Sequence, residues 1–470
     1  MSEQRHRAMR AWGGLLCAFA MGCAGNTTEA TSADKTDTHV PAVDVPSVDA
    51  MPETSGCLPP TSPTLTLAAT VDVTTAAIGS SVTVTITTAG TKGPPVLTAV
   101  VERGGGTVEA PAAPACDPGK GHVTTVRWTL GVAPVENRLR VSAGAGFVDK
   151  SVSVLATLAS PTEPKPFGDV HALLGTAAPG TTEDLAFTRD GKTLSVAVAG
   201  AVVDLDATGK ATKRALTGGT LDGPLGLVYD TLGQLLVADA KGKAVKVVSP
   251  AGAIVTHIAA SAEVAFVAPN DLTLLPNGEL VVTDPCAGRI FWFSADGKTL
   301  FDSVAFDKPK EGGPNGVVPA PDGSGVYVTT ENTAIVCQDA TVTFDAKLAG
   351  LYRLPMANHA FGARETIATE LGIFGDGLTF DAEGNLYVCV DRFKADFTLE
   401  ESVVLVFPSA KGPPATLWRS TTRLFANVEF GRGAFGKTTL YAALLSVPPF
   451  TGAEQRGVVA GEVGIAGVGP

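Results

Sequence analysis

The sequence lacks several features that mark common classes of protein. Its seven cysteines include no Cys-x-x-Cys pair, which argues against a zinc ribbon or a thioredoxin-type redox site. Stretches of helix-forming residues are scarce, so a helical bundle is excluded. Beyond residue 22, no apolar run has the length of a transmembrane helix. The formal net charge is −12, whereas nucleic-acid binding requires basic patches, so no nucleic-acid partner is expected.

Short runs rich in Val, Thr, Leu and Phe fill most of the chain. They are separated by Gly, Asp, Asn and Pro, and the 53 glycines and 32 prolines favour tight turns. This pattern predicts an all-β protein. The 470 residues are enough for two or three domains.

Residues 1–23 have the pattern of a lipoprotein signal peptide. A basic start is followed by a short apolar stretch, residues 11–22, that ends at Cys23. Ala20-Met21-Gly22-Cys23 is similar to a bacterial lipobox, in which the cysteine receives the lipid. We therefore expect lipidation at Cys23 and a location in the bacterial cell envelope, at the outer membrane or in the periplasm. The alternative is an ordinary secretory signal with a chance cysteine, and the protein is then secreted.

Two segments with different compositions follow the signal. Residues 24–56 contain almost no large apolar side chains, which predicts a disordered tether to a membrane. Residues 57–158 contain several runs with strict apolar–polar alternation, such as 81–86 and 124–130. Each such run predicts a strand with one buried face. Several of them in about 100 residues predict an immunoglobulin-like β-sandwich.

Four cysteines are candidates for disulfides in an oxidising compartment. Cys57 and Cys116 bracket the predicted sandwich, and Cys286 and Cys337 lie further along the chain. Both pairs are possible bridges on this reading, and the sequence does not decide between paired and free thiols.

Residues 165–470 carry an internal repeat. Each copy has an apolar strand, a glycine-containing turn and a second apolar strand. The turn glycines are Gly191, Gly233, Gly278, Gly323, Gly384 and Gly436. A period of about 40–60 residues with such hairpins is typical of a β-propeller with one four-stranded blade per repeat. Six copies predict six blades, and the longer spacing before the fifth copy predicts an insertion at residues 339–370.

Polar residues precede the first apolar run of several copies, where the innermost strands of a propeller converge on its axis. Glu183, Asn270, Asn315 and Asp376 occupy these places. Their oxygen donors suit Ca²⁺ or Mg²⁺, and no His or Cys joins them. A single such residue is more simply a turn cap. Four at equivalent places in different copies favour a divalent-metal site.

The same segments resemble a known family. Pro269-Asn270-Asp271, Pro314-Asn315-Gly316 and Asp376-Gly377-Leu378, each followed by its turn, resemble the senescence-marker-protein-30/gluconolactonase (regucalcin-like) family. That family belongs to the calcium-dependent phosphotriesterase superfamily. The resemblance covers about residues 168–450 and implies a six-bladed propeller with one central metal.

The resemblance also implies an activity and a role for each residue. It implies a metal-dependent hydrolase of lactones or related esters, with Ca²⁺ or another divalent metal such as Mg²⁺ or Zn²⁺. Glu183, Asn315 and Asp376 would bind the metal, and Asn270 would lie beside it, where it faces the substrate or completes the metal's ligand shell. Asp376 would also act as the catalytic base or orient the attacking water.

Departures from the family keep other functions open. The pair Glu183-Asp184 is more similar to paraoxonases, but residues 224–226 supply no histidine, and residues 266–268 lack the arginine that some relatives use to hold sugar lactones. The alternative is a non-catalytic surface propeller that binds a partner and uses the metal structurally. A periplasmic carbohydrate-binding protein is a third hypothesis, with Phe374 as the candidate aromatic contact.

Overall fold

The computed structural model describes residues 65–468, except 91–94, 118, 145–147, 159, 171–172, 174–181, 199, 412, 447–454 and 456. The predicted signal peptide, its Cys23, the predicted tether and Cys57 lie outside the described residues. Contacts divide the chain into two compact units. One contains Glu136–Leu155 and the described part of Thr27–Leu130; the other contains Gly131–Val135 and the described part of Ala156–Pro470.

Two antiparallel sheets form the amino-terminal unit. The first sheet has the order β1-β3-β7-β5, with β6 also paired to β7. Its strands are β1 (Thr66–Val71), β3 (Ser81–Ala89), β5 (Gly106–Val108), β6 (Ala115–Asp117) and β7 (Gly121–Leu130). The second sheet has the order β2-β9-β8-β4. Its strands are β2 (Thr75–Ala77), β4 (Leu97–Arg103), β8 (Glu136–Ala143) and β9 (Val148–Thr157).

The alternation predicted for this unit is present in its strands. Along β3, Val82, Val84 and Ile86 are buried while the residues between them are partly or fully exposed. Strand β7 alternates in the same way and contributes the fully buried Trp128. Because side chains along a strand point to opposite faces, each sheet has an apolar face and a wet face.

Four of the sheets in the second unit contain four antiparallel strands each. The sheet orders are β11-β12-β13-β14, β15-β16-β17-β18, β19-β20-β21-β22 and β10-β34-β33-β32. Their strands are β10 (Lys165–Gly168), β11 (Thr182–Phe187), β12 (Leu194–Val198), β13 (Ala201–Leu205), β14 (Ala211–Lys213), β15 (Pro224–Tyr229), β16 (Leu235–Asp239), β17 (Ala244–Val248), β18 (Ile254–Ala259), β19 (Leu272–Leu274), β20 (Leu280–Asp284), β21 (Arg289–Phe293), β22 (Leu300–Ala305), β32 (Phe425–Phe430), β33 (Thr439–Leu444) and β34 (Val458–Glu462).

A fifth sheet holds two further runs of antiparallel strands. In one run β23 pairs with β24 and β24 with β25, which also pairs with β26 and β27; the other run is β28-β29-β30-β31. A single residue pair, Glu331 with Phe374, joins the two runs. The strands are β23 (Gly313–Pro319), β24 (Gly325–Glu331), β25 (Leu351–Ala357), β26 (Ala360–Phe361), β27 (Glu365–Ala368), β28 (Phe374–Phe380), β29 (Leu386–Phe393), β30 (Leu399–Phe407) and β31 (Ala415–Ser420).

Helices in the described residues are short. They are α1 (Lys308–Glu311), α2 (Thr333–Val336) and two 3₁₀ turns at Pro408–Ala410 and Gly433–Phe435. The prediction of an all-β protein is therefore confirmed. No helix in the described part of the chain combines the length and the apolar character needed to cross a membrane.

The repeated turn glycines have a conformational role. All six have positive φ, between 63° at Gly191 and 84° at Gly278. Side chains with a Cβ rarely adopt this region, so glycine is favoured there. In the first four-stranded sheet, for example, the Gly191 turn connects β11 to β12, where Phe187 pairs with Leu194.

The predicted insertion at 339–370 is wrong over most of its length. Strands β25 to β27 occupy 351–368 and belong to the sheet. The additional residues instead lie at 332–350, directly after Glu331, and include α2. A disulfide joins Cys337 of this segment to Cys286, which confirms the second possible bridge. Cys116 is also disulfide-bonded, and Cys389 is a buried free thiol.

Candidate functional site

The predicted site residues lie at or just before the first strand of their sheet or run, and the strand register is irregular at three of these places. The strand pairing shifts between Thr182 and Leu185, between Pro314 and Val317, and between Gly375 and Leu378. Glu183, Asn315 and Asp376 lie inside these shifts, and Asn270 lies just before β19. An irregularity of this kind re-aims a side chain that would otherwise follow the pleat.

Two threonines of the second strands fix the backbone at these positions. Thr329 Oγ1 donates to the Asp376 carbonyl oxygen at 2.7 Å and accepts the Gly316 N–H at 2.9 Å. Thr283 Oγ1 donates to the Asn315 carbonyl oxygen and accepts the Asp271 N–H at 3.0 Å. Thr329 thus connects β23 with β28, the first strands of the two runs of the fifth sheet, and Thr283 connects β23 with the residue before β19. Each hydroxyl holds a site residue in place.

Two aspartates beside the site have a structural role. Asp184 accepts the N–H of Leu185 at 2.6 Å and that of Leu227, in the next sheet, at 2.5 Å. Asp271 accepts the N–H groups of Leu272 and Val317, both at 2.7 Å. Each carboxylate bridges two sheets through both of its oxygens. The pair Glu183-Asp184 therefore supplies one carboxylate to the site, Glu183, and one connection between sheets.

Amide–carboxylate pairs organise the predicted residues. The Asn270 amide lies close enough to Glu183, and the Asn315 amide close enough to Glu331, to lower the pKa of each carboxyl group. Asp376 interacts electrostatically with both Glu183 and Glu331. The structure therefore brings the four predicted residues together and adds Glu331 to them.

The carboxylates of this group are buried and repel one another. Burial, followed by the charges of Asp271 and Asp391, raises the pKa of Glu183 to about 8. Burial and the charge of Glu183 raise the pKa of Glu331 to about 8. The pKa of Asp376 lies well above its usual range because of burial and then the charges of Glu183 and Glu331. Burial also raises the pKa of Asp391 to about 7.

Several oxygens in this group have no hydrogen-bond partner among the described residues. They are Asn315 Oδ1, Glu331 Oε1 and both carboxylate oxygens of Asp391. The Ser402 hydroxyl is close enough to Asp391 to lower its pKa, yet no hydrogen bond with normal geometry forms. Buried oxygens without partners are costly, and several negative charges together require a cation or protons. The donor set thus fits a hard divalent cation.

Within the described residues, no three side chains of His, Cys, Asp or Glu are placed to hold a metal ion. The predicted set needs only two carboxylates, Glu183 and Asp376, together with the amide of Asn315. That a cation binds these residues remains a prediction.

The sequence pattern missed Glu331 and Asp391. Both lie at or near the end of a second strand, in Val328-Thr329-Thr330-Glu331 and Val388-Cys389-Val390-Asp391. An available signal was that the second and third repeats also have an acidic residue there, Asp239 and Asp284. Position in the sequence does not distinguish these roles, since Asp239 and Asp284 accept backbone N–H groups of nearby loops.

Phe374 does not form an exposed aromatic platform. Its side chain is buried and packs edge-on against Phe393 with 5.8 Å between ring centroids. It belongs to an apolar cluster that also contains Ile335, Ile373 and Leu445. The carbohydrate-binding hypothesis therefore loses its candidate contact.

The chain is similar to several solved structures. No protein-family model and no curated protein matches this chain. The chain resembles gluconolactonases and regucalcin. Similar solved structures are a candidate gluconolactonase (16% identity, TM-score 0.47, covering 66% of this chain and 95% of that chain), a gluconolactonase from Xanthomonas campestris (17%, 0.45, 62% and 98%) and a calcium-binding regucalcin from Agrobacterium tumefaciens (18%, 0.45, 66% and 97%).

These neighbours are members of the group that the residue motifs resemble. Identities and TM-scores this low assign no activity to the present chain.

Proposed function

We propose that this protein is an exported, calcium-dependent hydrolase of lactones or related esters, whose site lies on the axis of a six-bladed β-propeller. The observation that carries the proposal is the convergence of Glu183, Asn270, Asn315 and Asp376, with the buried Asn315 Oδ1 left without a partner among the described residues. Asn315 and Asp376 come from the two runs of the fifth sheet, and the other two residues come from two further sheets. Residues that only capped their own local turns would not be expected to lie together in one place.

The sheet connectivity supports six blades. The four separate sheets and the two runs of the fifth sheet supply six sets of antiparallel strands. Contacts between first strands connect successive sets, as in Asp184 to Leu227 and Asp271 to Val317. Strand β10 is the first strand of the second unit along the chain, and it pairs with β34, the last strand. The two ends of this unit therefore share one set of strands. Pairing of the two ends is a natural way to close a ring of blades.

The strand order of the amino-terminal unit supports an immunoglobulin-like sandwich. The order β1-β3-β7-β5 corresponds to strands A, B, E and D of that fold, and β9-β8-β4 corresponds to G, F and C. We assign this unit a spacer role, because its described residues show no grouping of metal-ligating side chains.

Glu183, Asn315 and Asp376 would hold the cation. Two carboxylates and an amide oxygen are hard donors that suit Ca²⁺, and Mg²⁺ or Zn²⁺ are the alternatives. Among these donors, the Asn315 oxygen is the best suited to a cation, because it is buried and accepts no hydrogen bond from the described residues. When bound, the cation supplies Lewis-acid polarisation of an ester carbonyl and charge for its oxyanion.

The residues of the chain supply the proton chemistry. The Asp376 carboxylate orients a water molecule and accepts its proton as the water oxygen bonds to the carbonyl carbon. The ring C–O bond then breaks, and the proton passes to the departing alkoxide, which leaves a hydroxy acid. Asn270 faces the substrate, and its amide group, which lies beside Glu183, interacts with a substrate hydroxyl or carbonyl.

Export and anchoring complete the proposal. The basic start, short apolar stretch and Cys23 support a lipid anchor that holds the protein in the bacterial cell envelope, with a secreted form as the alternative. The Cys286–Cys337 disulfide suits the oxidising conditions outside the cytoplasm. Labelling with a radioactive fatty acid in the native host tests the anchor: Cys23→Ser should abolish incorporation.

The test of activity is a lactone and aryl-ester panel assayed with the full chain, with calcium and with a chelator. We expect chelator-sensitive hydrolysis, and we expect Asp376→Ala to lower kcat by about 10²–10⁴-fold. Asp296→Ala is the matched control, because Asp296 is an exposed turn carboxylate. Hydrolysis that survives chelation, or none by the wild type, contradicts the enzyme proposal. In the second case, calcium-dependent stabilisation without turnover would favour the non-catalytic surface propeller.

A further inference from the structure

Glu331 ends strand β24 at the one residue pair that joins the two runs of the fifth sheet, opposite Phe374. Only 4% of its surface is exposed, and Oε1 has no hydrogen-bond partner among the described residues. No Lys or Arg in the described part of the chain forms an ion pair with it. Asn315 lies in the register shift of the neighbouring strand, next to Pro314 and Gly313, which pair with Thr330 and Glu331, and its amide lowers the pKa of Glu331. A buried carboxylate in such a position costs stability, so a role other than packing is required.

The chemistry of the Asn315–Glu331 pair fixes the direction of the amide. In its ionised form, which a bound cation favours, Glu331 accepts hydrogen bonds and donates none, so the amide nitrogen of Asn315 faces Glu331 in that form. The amide oxygen then faces the opposite way, and Asn315 Oδ1 is buried and free of partners. The residue is only 2% exposed, so water does not satisfy that oxygen at the surface.

Other strand-end carboxylates show what a structural role looks like in this protein. Asp239 accepts the N–H groups of Asp222 and Gly223 at 3.1 and 2.6 Å. Asp284 accepts the N–H groups of Val267 and Ala268 at 2.7 and 3.0 Å. Each of them stabilises the loop in front of its sheet. Glu331 makes no equivalent contact with a loop in the described structure, and its neighbour is Asn315 of the site instead.

We propose that Glu331 is a positioning residue of the cation site: it holds the amide nitrogen of Asn315 and thereby directs Asn315 Oδ1 at the cation. This inference rests on the proposed site. It does not make Glu331 a ligand, in agreement with the absence of a three-carboxylate cluster among the described residues. Removal of Glu331 leaves Asn315 free to rotate, and the cation loses an oriented donor.

The test compares cation binding by the full chain in wild type, Glu331→Gln and Glu331→Leu. Calcium is titrated by calorimetry, and Tb³⁺ luminescence gives a second readout that is independent of turnover. We expect Glu331→Leu to weaken calcium binding by about 10–100-fold, the usual range for residues behind metal ligands. Gln retains an acceptor for the Asn315 amide and should restore part of the affinity. Glu429→Gln is the matched control, because Glu429 is an inner-strand carboxylate paired with Arg432 at 3.3 Å.

Thermal stability separates positioning from a merely structural role. In chelator, Glu331→Leu should melt at or above the wild-type temperature, because a buried carboxyl group whose Oε1 has no partner among the described residues has been removed. In calcium it should melt below wild type. A variant that loses stability equally in both conditions, or that binds calcium as tightly as wild type, overturns the inference. If the wild type binds no cation, the proposed site itself fails, and that result is distinct from the failure of Glu331 alone.

Discussion

Asp391 provides a sharp test of the buried charge near the proposed site. Its side chain is fully buried, and burial raises its pKa from an ordinary 3.8 to about 7. We expect Asp391→Asn, measured in chelator, to be more stable than the wild type at pH 8 and much less so at pH 5.

The sign follows from proton binding. The folded wild type binds its Asp391 proton more tightly than the unfolded chain does, so between about pH 4 and pH 7 the folded state holds more protons. Wild-type stability therefore falls as pH rises through this window. Asparagine does not titrate, so the variant escapes this loss. At about 1.4 kcal/mol per pH unit, the penalty at Asp391 grows by about 3 kcal/mol between pH 5 and pH 8.

The assay is chemical denaturation of both proteins at pH 5, 6, 7 and 8 in chelator. Asp296→Asn is the control, because Asp296 is exposed and its local hydrogen bonds lower its pKa to about 2, so it does not titrate in this range. Calcium favours the charged forms and should reduce the difference between Asp391→Asn and wild type. A difference that is equal at pH 5 and pH 8 would refute the reasoning.

Four further results are expected. Calcium at about 100 times its Kd should stabilise the wild type by about 3 kcal/mol, as an increase in Tm that Asp376→Ala does not show. Asp271→Ala should cost about 1–3 kcal/mol in unfolding free energy, since two backbone N–H groups lose their acceptor; no change in urea midpoint would contradict the bridging role. Cys337→Ser should cost up to about 4 kcal/mol, because the disulfide closes a loop with a sequence separation of 51, and a matched Cys389→Ser should not open that loop. Gly377→Ala should prevent stable folding, since the new Cβ would lie 1.8 Å from Asn427 Oδ1. A soluble variant with the wild-type Tm would show that strands β28 and β32 can move apart.

Much of the architecture was predictable because strand periodicity and turn chemistry are local. The alternation at 81–86 depends only on which neighbours are apolar, and the turn glycines recur because each turn requires positive φ. The local pattern also identified Glu183, Asn270, Asn315 and Asp376, because they occupy equivalent positions in their repeats. The pattern gave a wrong prediction of an insertion at 339–370, because strands β25 to β27 have weak alternation and the additional residues precede them.

Residue roles at the site depended on contacts that are distant along the chain. Asp184 directly follows Glu183, yet it connects two sheets because Leu227 of the next sheet presents its N–H group. Glu331 and Asp284 both end second strands, but the loop before β19 supplies N–H groups to Asp284 and none reaches Glu331 in the described structure.

The sequence by itself determined the β class, the repeat and the four predicted oxygen donors, since each of these follows from residue type and spacing. The tertiary structure alone decided which donors are free. A carboxylate or an amide has the same donors and acceptors wherever it lies, and only the groups that pack around it determine whether those atoms stabilise a loop, connect two sheets or remain available to a cation.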